Sequence, residues 1–222
     1  TQFNNPTDLE KYPRTLTADA DKIAQYSKEV IIFAPAVSDI YGDEVVAQPF
    51  DFAGLDKVME GSSRPGHFDG VGTIVKKLFE IVMPDRAYFG EKDYQQLLII
   101  QQMVRQTGLP VTIVPCPIVR NSEGLALSSR NALLSEAMTQ RASFIYRTLL
   151  AAKERFATHT PAEVEAWVVD TFAKEPDFTL EYFTITDAHT LQHITTKEAD
   201  KEYRAFIVVY AEGVRLIDNL AM

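Results

Sequence analysis

The sequence has little cysteine, little positive charge and no long apolar run. Its 222 residues include one cysteine, Cys116, which excludes an internal disulfide, and no Cys/His cluster has zinc-binding spacing. The net charge of -9 argues against nucleic acid as the main partner, because such binding needs clustered lysine and arginine. No apolar run approaches membrane-spanning length, and residues 1–6 do not resemble a signal peptide. We therefore expect a cytoplasmic protein with no nucleic-acid partner and no membrane partner.

The composition is that of an ordinary globular protein. Hydrophobic residues make up 46% of the chain and charged residues 24%, which is the usual balance for a soluble domain. A chain of this length can bury a sizeable core, and it suggests one large or two small domains. The sequence contains no internal repeat and no low-complexity segment.

Apolar runs of strand length alternate with amphipathic helical segments in the first half of the chain. Strands are predicted at residues 30–34, 86–89 and 111–114, and helices at 71–82 and 93–107. The runs are continuously apolar, which is typical of strands buried on both faces of a parallel sheet. We expect residues 1–118 to form a Rossmann-like α/β domain with its ligand beyond the carboxyl ends of the strands.

The second half has a different sequence pattern and begins with a long polar connection at residues 119–131. Two helices are predicted at residues 135–157 and 161–174, the second with a capping box formed by Thr160 and Glu163. Strands follow at 178–186, 206–210 and 214–217, the last two joined as a hairpin by a Glu-Gly turn. We expect residues 119–222 to form a small α+β domain that closes over the site.

Residues 89–96 carry the strongest local pattern in the chain. An apolar strand stops at Gly90, three polar residues follow, and an apolar helix continues, so backbone N–H groups and the positive helix end point to one spot. Lys92 adds a full charge there, which favours a nucleotide phosphate as the ligand. Gln95 and Gln96 open the helix and suit a neutral hydrogen-bonding substrate. The alternative, a solvated loop with a helix cap, stays open on these residues alone.

Two further segments carry candidate binding groups. Ser128, Ser129 and Arg130 form a loop at the domain junction that suits phosphate oxygens, although a serine-rich hinge with a solvated arginine is the alternative. Arg64 and His67 lie in a loop predicted to be mobile, residues 61–70, and suit a carboxylate; alternatively, His67 only caps the following helix.

Four motifs in order resemble the pantothenate synthetase (pantoate–β-alanine ligase) family. They are residues 64–71, 89–97, 124–131 and 215–219, and residues 1–3 resemble the end of the family's Asn-Pro-Thr-Gln-Phe motif. The resemblance covers essentially the whole chain. It implies an ATP-dependent and Mg²⁺-dependent homodimeric enzyme of pantothenate biosynthesis that joins pantoate to β-alanine through a pantoyl adenylate, releasing AMP and pyrophosphate.

The resemblance also implies roles for individual residues. Catalysis falls to Lys92, Ser129 and Arg130. ATP binding falls to Gly90, Glu91, Lys92, Asp93, Val119, Leu127, Ser128, Ser129 and Arg130, with leucine at 127 where the family usually has methionine. Pantoate and β-alanine binding falls to Gln2, Gln96, Arg64 and His67. No residue is assigned to a metal.

One departure from the family is large. The family begins with a strand and a His-x-Gly-His motif that binds ATP, and the 222 residues contain no such motif. We therefore expect the chain to start after that β-α-β unit and to be inactive alone. Two alternatives to the ligase are a catalytically incomplete fragment that folds, dimerises and binds, and an adenylyl transferase of the same superfamily that uses another acid.

Overall fold

The computed structural model describes residues 14–42 and 44–222, which form an α/β first half followed by a small α+β second half. The helices are α1 (Leu16–Tyr26), α2 (Val37–Tyr41), α3 (Met59–Ser63), α4 (His67–Val82), α5 (Tyr94–Thr107), α6 (Glu136–Arg141), α7 (Ser143–Phe156) and α8 (Pro161–Phe172). The strands are β1 (Arg86–Gly90), β2 (Thr112–Cys116), β3 (Phe178–Asp187), β4 (Tyr203–Ala211) and β5 (Val214–Ala221). Short 3₁₀ turns lie at Leu55–Lys57, Glu91–Asp93 and Ser129–Leu133. The predicted α/β class is confirmed.

The first half contains a parallel pair of strands joined by a helix. β1 and β2 pair in parallel from Arg86–Thr112 to Gly90–Cys116, and α5 connects them. Buried side chains of α5 fill the core beneath the sheet, and the helix ends at Gly108 in the left-handed conformation that glycine favours (φ 65°). Because parallel strands direct their carboxyl ends to the same edge, both strands finish where a ligand is expected.

The predicted strand at residues 30–34 is wrong. This segment has no assigned strand structure, and its apolar side chains are exposed, Ile31 at 92% and Phe33 at 50%. A strand needs a neighbour for its N–H and C=O groups, and the parallel sheet of the described residues consists of β1 and β2 alone. The apolar composition of this segment favours a strand, but within the described residues the segment has no neighbouring strand to pair with.

The second half is a three-stranded antiparallel sheet with helices packed on it. The order is β3-β4-β5, and β4 and β5 form the predicted hairpin, whose turn residues Glu212 and Gly213 both have positive φ (50° and 75°). The capping box at the start of α8 is present, with Thr160 accepting from Glu163 N–H. The helix predicted at residues 135–157 is instead two helices, α6 and α7, which meet at Ala142.

Two buried apolar clusters hold the molecule together. One lies between the sheet and helices α7 and α8 of the second half. The other lies in the first half around α4 and α5, and it includes Leu191 and Phe206 of the second half. We keep a division at residue 118 as a proposal, because β2 ends at Cys116 and Arg120 pairs with Asp218 of β5. Within the described ranges, no helix has the length and apolarity needed to cross a membrane.

Candidate active site

A cavity of about 530 Å³, which we call the central cavity, lies between the two halves beside the Glu91–Asp93 turn. Five cationic side chains line it: Arg14, Arg64, Lys92, Arg130 and Arg215. Three carboxylates also line it, Glu60, Asp93 and Asp218, so the formal charge of the lining is +2 with histidine neutral. The whole chain carries -9. Positive charge is therefore concentrated at this cavity in an otherwise acidic protein, which favours an anionic ligand.

The turn after β1 presents Lys92 and the start of α5 to this cavity. Lys92, Asp93 and Gln96 line it, and the N-cap of α5, Asp93, makes no capping hydrogen bond with its side chain. The first N–H groups of the helix are thus left without a side-chain cap, as at an anion-binding helix end. Gly90 has an ordinary extended backbone (φ -70°), and a Cβ added there would meet no atom within 4 Å. Neither conformation nor packing requires glycine at this position.

The loop before the 3₁₀ turn Ser129–Leu133 also lies beside Lys92. Ser128 accepts a hydrogen bond from Arg130 N–H at 3.2 Å and so caps this turn. Lys92, Ser128 and Arg130 together line a small side pocket that adjoins the central cavity. The structure thus brings the two predicted phosphate-binding segments to one place.

Other predicted site residues lie farther out. Of the ATP-binding set, Gly90, Glu91, Val119, Leu127 and Ser129 do not line the central cavity or the side pocket. Val119 is 67% exposed and Leu127 is 49% exposed, and the two are joined by a backbone hydrogen bond of 2.9 Å. Gln2 lies outside the described residues.

The loop predicted at residues 61–70 is wrong, since α3 and α4 occupy most of that segment. Arg64 and His67 nevertheless both line the central cavity. His67 is buried as the first residue of α4, its backbone N–H donates to Arg64 O at 3.0 Å, and its ring packs 4.9 Å from that of Phe68. The helix start holds His67, whereas Arg64 lies in the short turn between α3 and α4.

The two glutamines at the start of α5 have different surroundings. The Gln95 amide nitrogen donates to Leu55 O and Val58 O at 2.7 and 2.8 Å, and its oxygen accepts from Glu60 N–H at 3.2 Å. Both the nitrogen and the oxygen of the Gln95 amide are thus hydrogen-bonded to backbone groups of the protein. Gln96 is half-buried and lines the central cavity.

An ion-pair cluster beside the cavity went unnoticed at the level of sequence. Arg215 of β5 pairs with Glu60 of α3 at 2.6 Å and with Glu181 of β3 at 2.7 Å, and Tyr182 OH donates to Glu60 at 3.4 Å. Hydrogen bonds from Arg215 lower the pKa of Glu181. Burial, with the charge of Glu60, raises the pKa of Tyr182. Arg215 belongs to the family-like motif 215–219, but its partner Glu60 is 155 positions away, so no local pattern could connect them.

The described residues show no group of three or more His, Cys, Asp or Glu side chains that could hold a metal ion. A protein cage for Mg²⁺ is therefore absent from that part of the chain. Mg²⁺ typically enters such sites on substrate phosphates with one or two carboxylates and several waters. Asp93, which is exposed at the lining of the cavity, fits that limited role.

Fold and site together define an α/β protein with a cationic ligand cavity at the carboxyl end of parallel strands. A family model described as pantoate-beta-alanine ligase matches residues 1–221. A pantothenate synthetase from Christiangramia forsetii is 50% identical over 222 residues, which are 100% of this chain and 78% of that protein. One from Bacteroides fragilis is 50% identical over 220 residues, 99% of this chain and 77% of that protein.

Solved structures agree. The pantothenate synthetase from Thermus thermophilus superposes with a TM-score of 0.88 at 38% identity, covering 99% of this chain and 79% of that one. Pantoate-beta-alanine ligase from Francisella tularensis, complexed with beta-gamma ATP and β-alanine, gives a TM-score of 0.75 at 34% identity, covering 100% and 75%. The chain belongs to the pantoate–β-alanine ligase family, and is accordingly an ATP-dependent ligase.

Proposed function

We propose that the central cavity is where this ligase activates pantoate with ATP and then transfers the pantoyl group to β-alanine. The observation that carries the proposal is the concentration of positive charge at the cavity in a chain of charge -9. A triphosphate and two carboxylates are the substrates of the reaction, so all of them are anionic or zwitterionic. Binding them between two halves also keeps water from the activated acyl group.

In the first step, a carboxylate oxygen of pantoate attacks the α-phosphorus of ATP. The bond from that phosphorus to the bridging oxygen breaks, and pyrophosphate leaves with the electron pair. Negative charge grows on the phosphoryl oxygens, and Lys92 and Arg130, which both line the side pocket, stabilise it, aided by Ser129. Gly90, Glu91 and Asp93 hold the nucleotide beside them, and Val119 lines the adenine site. Leu127 and Ser128 belong to the loop that embraces the triphosphate.

In the second step, the amine of β-alanine attacks the acyl carbon of the pantoyl adenylate, AMP leaves, and the new amide nitrogen loses a proton. Gln96 and Gln2 hydrogen-bond the polar groups of pantoate. Arg64 and His67 serve the carboxylate end of the substrates from the start of α4. These roles suit the residue types, since an amide both donates and accepts whereas an arginine binds a carboxylate through two donors.

Three finer features belong to the same proposal. Bound with the nucleotide, Mg²⁺ would neutralise phosphate charge, and Asp93 is the residue that would contact its water shell. The ligase works in the cytoplasm, consistent with a single cysteine. It forms a homodimer through its first half, where large apolar side chains that include Ile31 are exposed. Sedimentation that shows only a monomer at high concentration would reject the dimer.

The central test is Lys92→Ala, measured by ATP–pyrophosphate exchange and by ATP binding. Loss of one preorganised donor should slow exchange by about a hundredfold or more. Lys174→Ala is the matched control, because Lys174 is an exposed lysine outside the cavity. Thermal stability should stay unchanged in both variants. Equal exchange rates in Lys92→Ala and the unchanged protein would reject the assigned role.

A further inference from the structure

We propose that Asp218 and Asn219, neighbours on β5, are positioning residues that hold the two phosphate-binding segments of the ligase at a fixed spacing. The segments are the Glu91–Asp93 turn, which carries Lys92, and the loop of residues 124–130, which carries Arg130. The inference rests on the proposed function of those segments. Asn219 hydrogen-bonds the backbone of the turn that carries Lys92, and Asp218 binds Arg120, which hydrogen-bonds the backbone at the base of the loop that carries Arg130.

The side-chain amide of Asn219 hydrogen-bonds the Glu91–Asp93 turn. It is 1% exposed, and its Nδ2 donates to the carbonyl oxygens of Glu91 and Lys92, both at 2.9 Å. Its Oδ1 accepts from Arg204 Nη1 at 2.5 Å. Arg204 in turn lies 3.8 Å from the ring centroid of Tyr94, the first residue of α5, and 3.5 Å from the carboxylate of Glu91. The backbone of Lys92 is therefore fixed by a residue of the second half.

Asp218 is tied to the other segment through Arg120. Its carboxylate is buried and accepts from both terminal nitrogens of Arg120, at 2.6 and 2.9 Å. The same Arg120 donates to Gly124 O at 3.0 Å and stacks 3.7 Å from the ring centroid of Tyr146. Gly124 has φ 100°, and a Cβ there would lie 2.8 Å from Tyr146, so glycine is required at the base of this loop.

The two ties come from adjacent residues of one strand. Successive side chains of a strand point to opposite faces, which lets β5 serve two segments at once. Asp218 Oδ1 also accepts from the backbone N–H of Asn219 at 2.8 Å, so the two side chains are not independent of each other. A shift of β5 would move Lys92 and Arg130 together. Loss of the Asn219 hydrogen bonds would change the position of Lys92 alone, and loss of the Asp218–Arg120 pair would change that of Arg130 alone.

The experiment measures ATP and pantoate affinity by calorimetry in variants of this chain. Asn219→Asp keeps the shape of the side chain but sets an oxygen against two carbonyl oxygens, so ATP affinity should fall about tenfold or more, with pantoate affinity changing less than about twofold. Gln192→Glu is the control for the change of amide to carboxylate, because Gln192 is exposed and does not line the cavity. If Asn219→Asp does not fold, Asn219→Ala is measured in the same way.

A background variant separates positioning from general stability. In Lys92→Ala, the residue that Asn219 positions is gone, so adding Asn219→Asp should cause little further loss of ATP affinity. Asp218→Asn should likewise weaken ATP binding in the unchanged chain but not in Arg130→Ala, with the exposed Asp170→Asn as its control. Equal losses in both backgrounds, or ATP and pantoate affinities that fall together, would overturn the inference.

The outcomes also separate this inference from the proposed function. If Lys92→Ala weakens ATP binding but Asn219→Asp does not, the positioning role falls and the proposed site stands. If Lys92→Ala leaves ATP affinity unchanged, the proposed site falls, and the inference falls with it.

Discussion

At the scale of single residues, the neighbouring glutamines of α5 show how one residue type divides between structure and function. Both line the central cavity, but the amide of Gln95 is also held by hydrogen bonds with Leu55 O, Val58 O and Glu60 N–H. Both fit the same sequence pattern, and no rule of helix starts distinguishes them. The difference arises because the segment before α3 closes over one of them.

We predict that Gln95→Leu lowers the free energy of unfolding by about 1–3 kcal/mol, since it removes the Gln95 partner of Leu55 O and of Glu60 N–H, whereas Val58 O still accepts from Gly61 N–H. The matched variant Gln96→Leu should change stability by less than about 0.5 kcal/mol. It should instead weaken pantoate binding by about 1–3 kcal/mol with ATP affinity unchanged. Urea unfolding and calorimetry measure the two effects. Equal destabilisation by both variants would contradict this division of roles.

At the scale of elements, the Arg215 cluster joins α3 to strands β3 and β5. The pKa of Glu181 lies below its usual value of 4.5 because Arg215 donates hydrogen bonds to its carboxylate. A lowered folded-state pKa contributes stability above the unfolded-state pKa, and that contribution is lost as pH falls through the folded-state pKa. The joint between these elements should therefore weaken in acid, below about pH 4.5.

We predict that Glu181→Gln reduces stability at pH 7 and flattens the fall of unfolding free energy between about pH 5 and about pH 3. The control is Glu154→Gln, an exposed glutamate of α7 outside the cluster. Denaturant unfolding across that pH range supplies the measurement. A pH profile of Glu181→Gln parallel to that of the unchanged chain would show that this carboxylate carries no linked stability.

The elements also show what sequence alone can predict. The ends of α5 and α8 follow from neighbouring residues, because Gly108, Thr160 and Glu163 act within one helical turn. The strand predicted at residues 30–34 fails because pairing is a property of the neighbour and not of the segment. The contact of Glu60 with Arg215 spans 155 positions and depends on the packing of both halves. The motifs indicated Lys92 and Arg130, which line the central cavity, whereas no local pattern indicated the contacts of Asp218 and Asn219 with distant segments.

At the scale of the whole molecule, the two halves share a core. Leu191 and Phe206 of the second half pack with Phe52, Ile99 and Met103 of the first. A hydrogen bond from Asn219 to Glu91 O and the ion pair of Arg215 with Glu60 also cross this boundary. When either half unfolds, the apolar surface that the two halves bury against each other becomes exposed on both. The two halves should therefore unfold together.

We predict that the chain unfolds in one transition, with coincident curves from far-ultraviolet circular dichroism and from tryptophan fluorescence. Phe206→Ala should remove about 3–5 kcal/mol and separate the two curves, because it removes contacts at the boundary. Phe183→Ala is the matched control: its exposure of 8% is close to the 7% of Phe206, but it lies in the core of the second half alone. It should lower stability without separating the curves. Two separate transitions in the unchanged chain would contradict the shared core.

The sequence contains one cysteine and one tryptophan, and they lie in different halves. Cys116 ends β2 of the first half and is half-buried. Trp167 lies on α8 of the second half, with the Arg155 guanidinium 4.4 Å from its ring centroid. A thiol-reactive dye on Cys116 would accept energy from the natural indole without any substitution in the chain. Energy transfer from Trp167 to a dye on Cys116 would therefore report the distance between the two halves. A change in that transfer on adding ATP or pantoate would report how far the halves move.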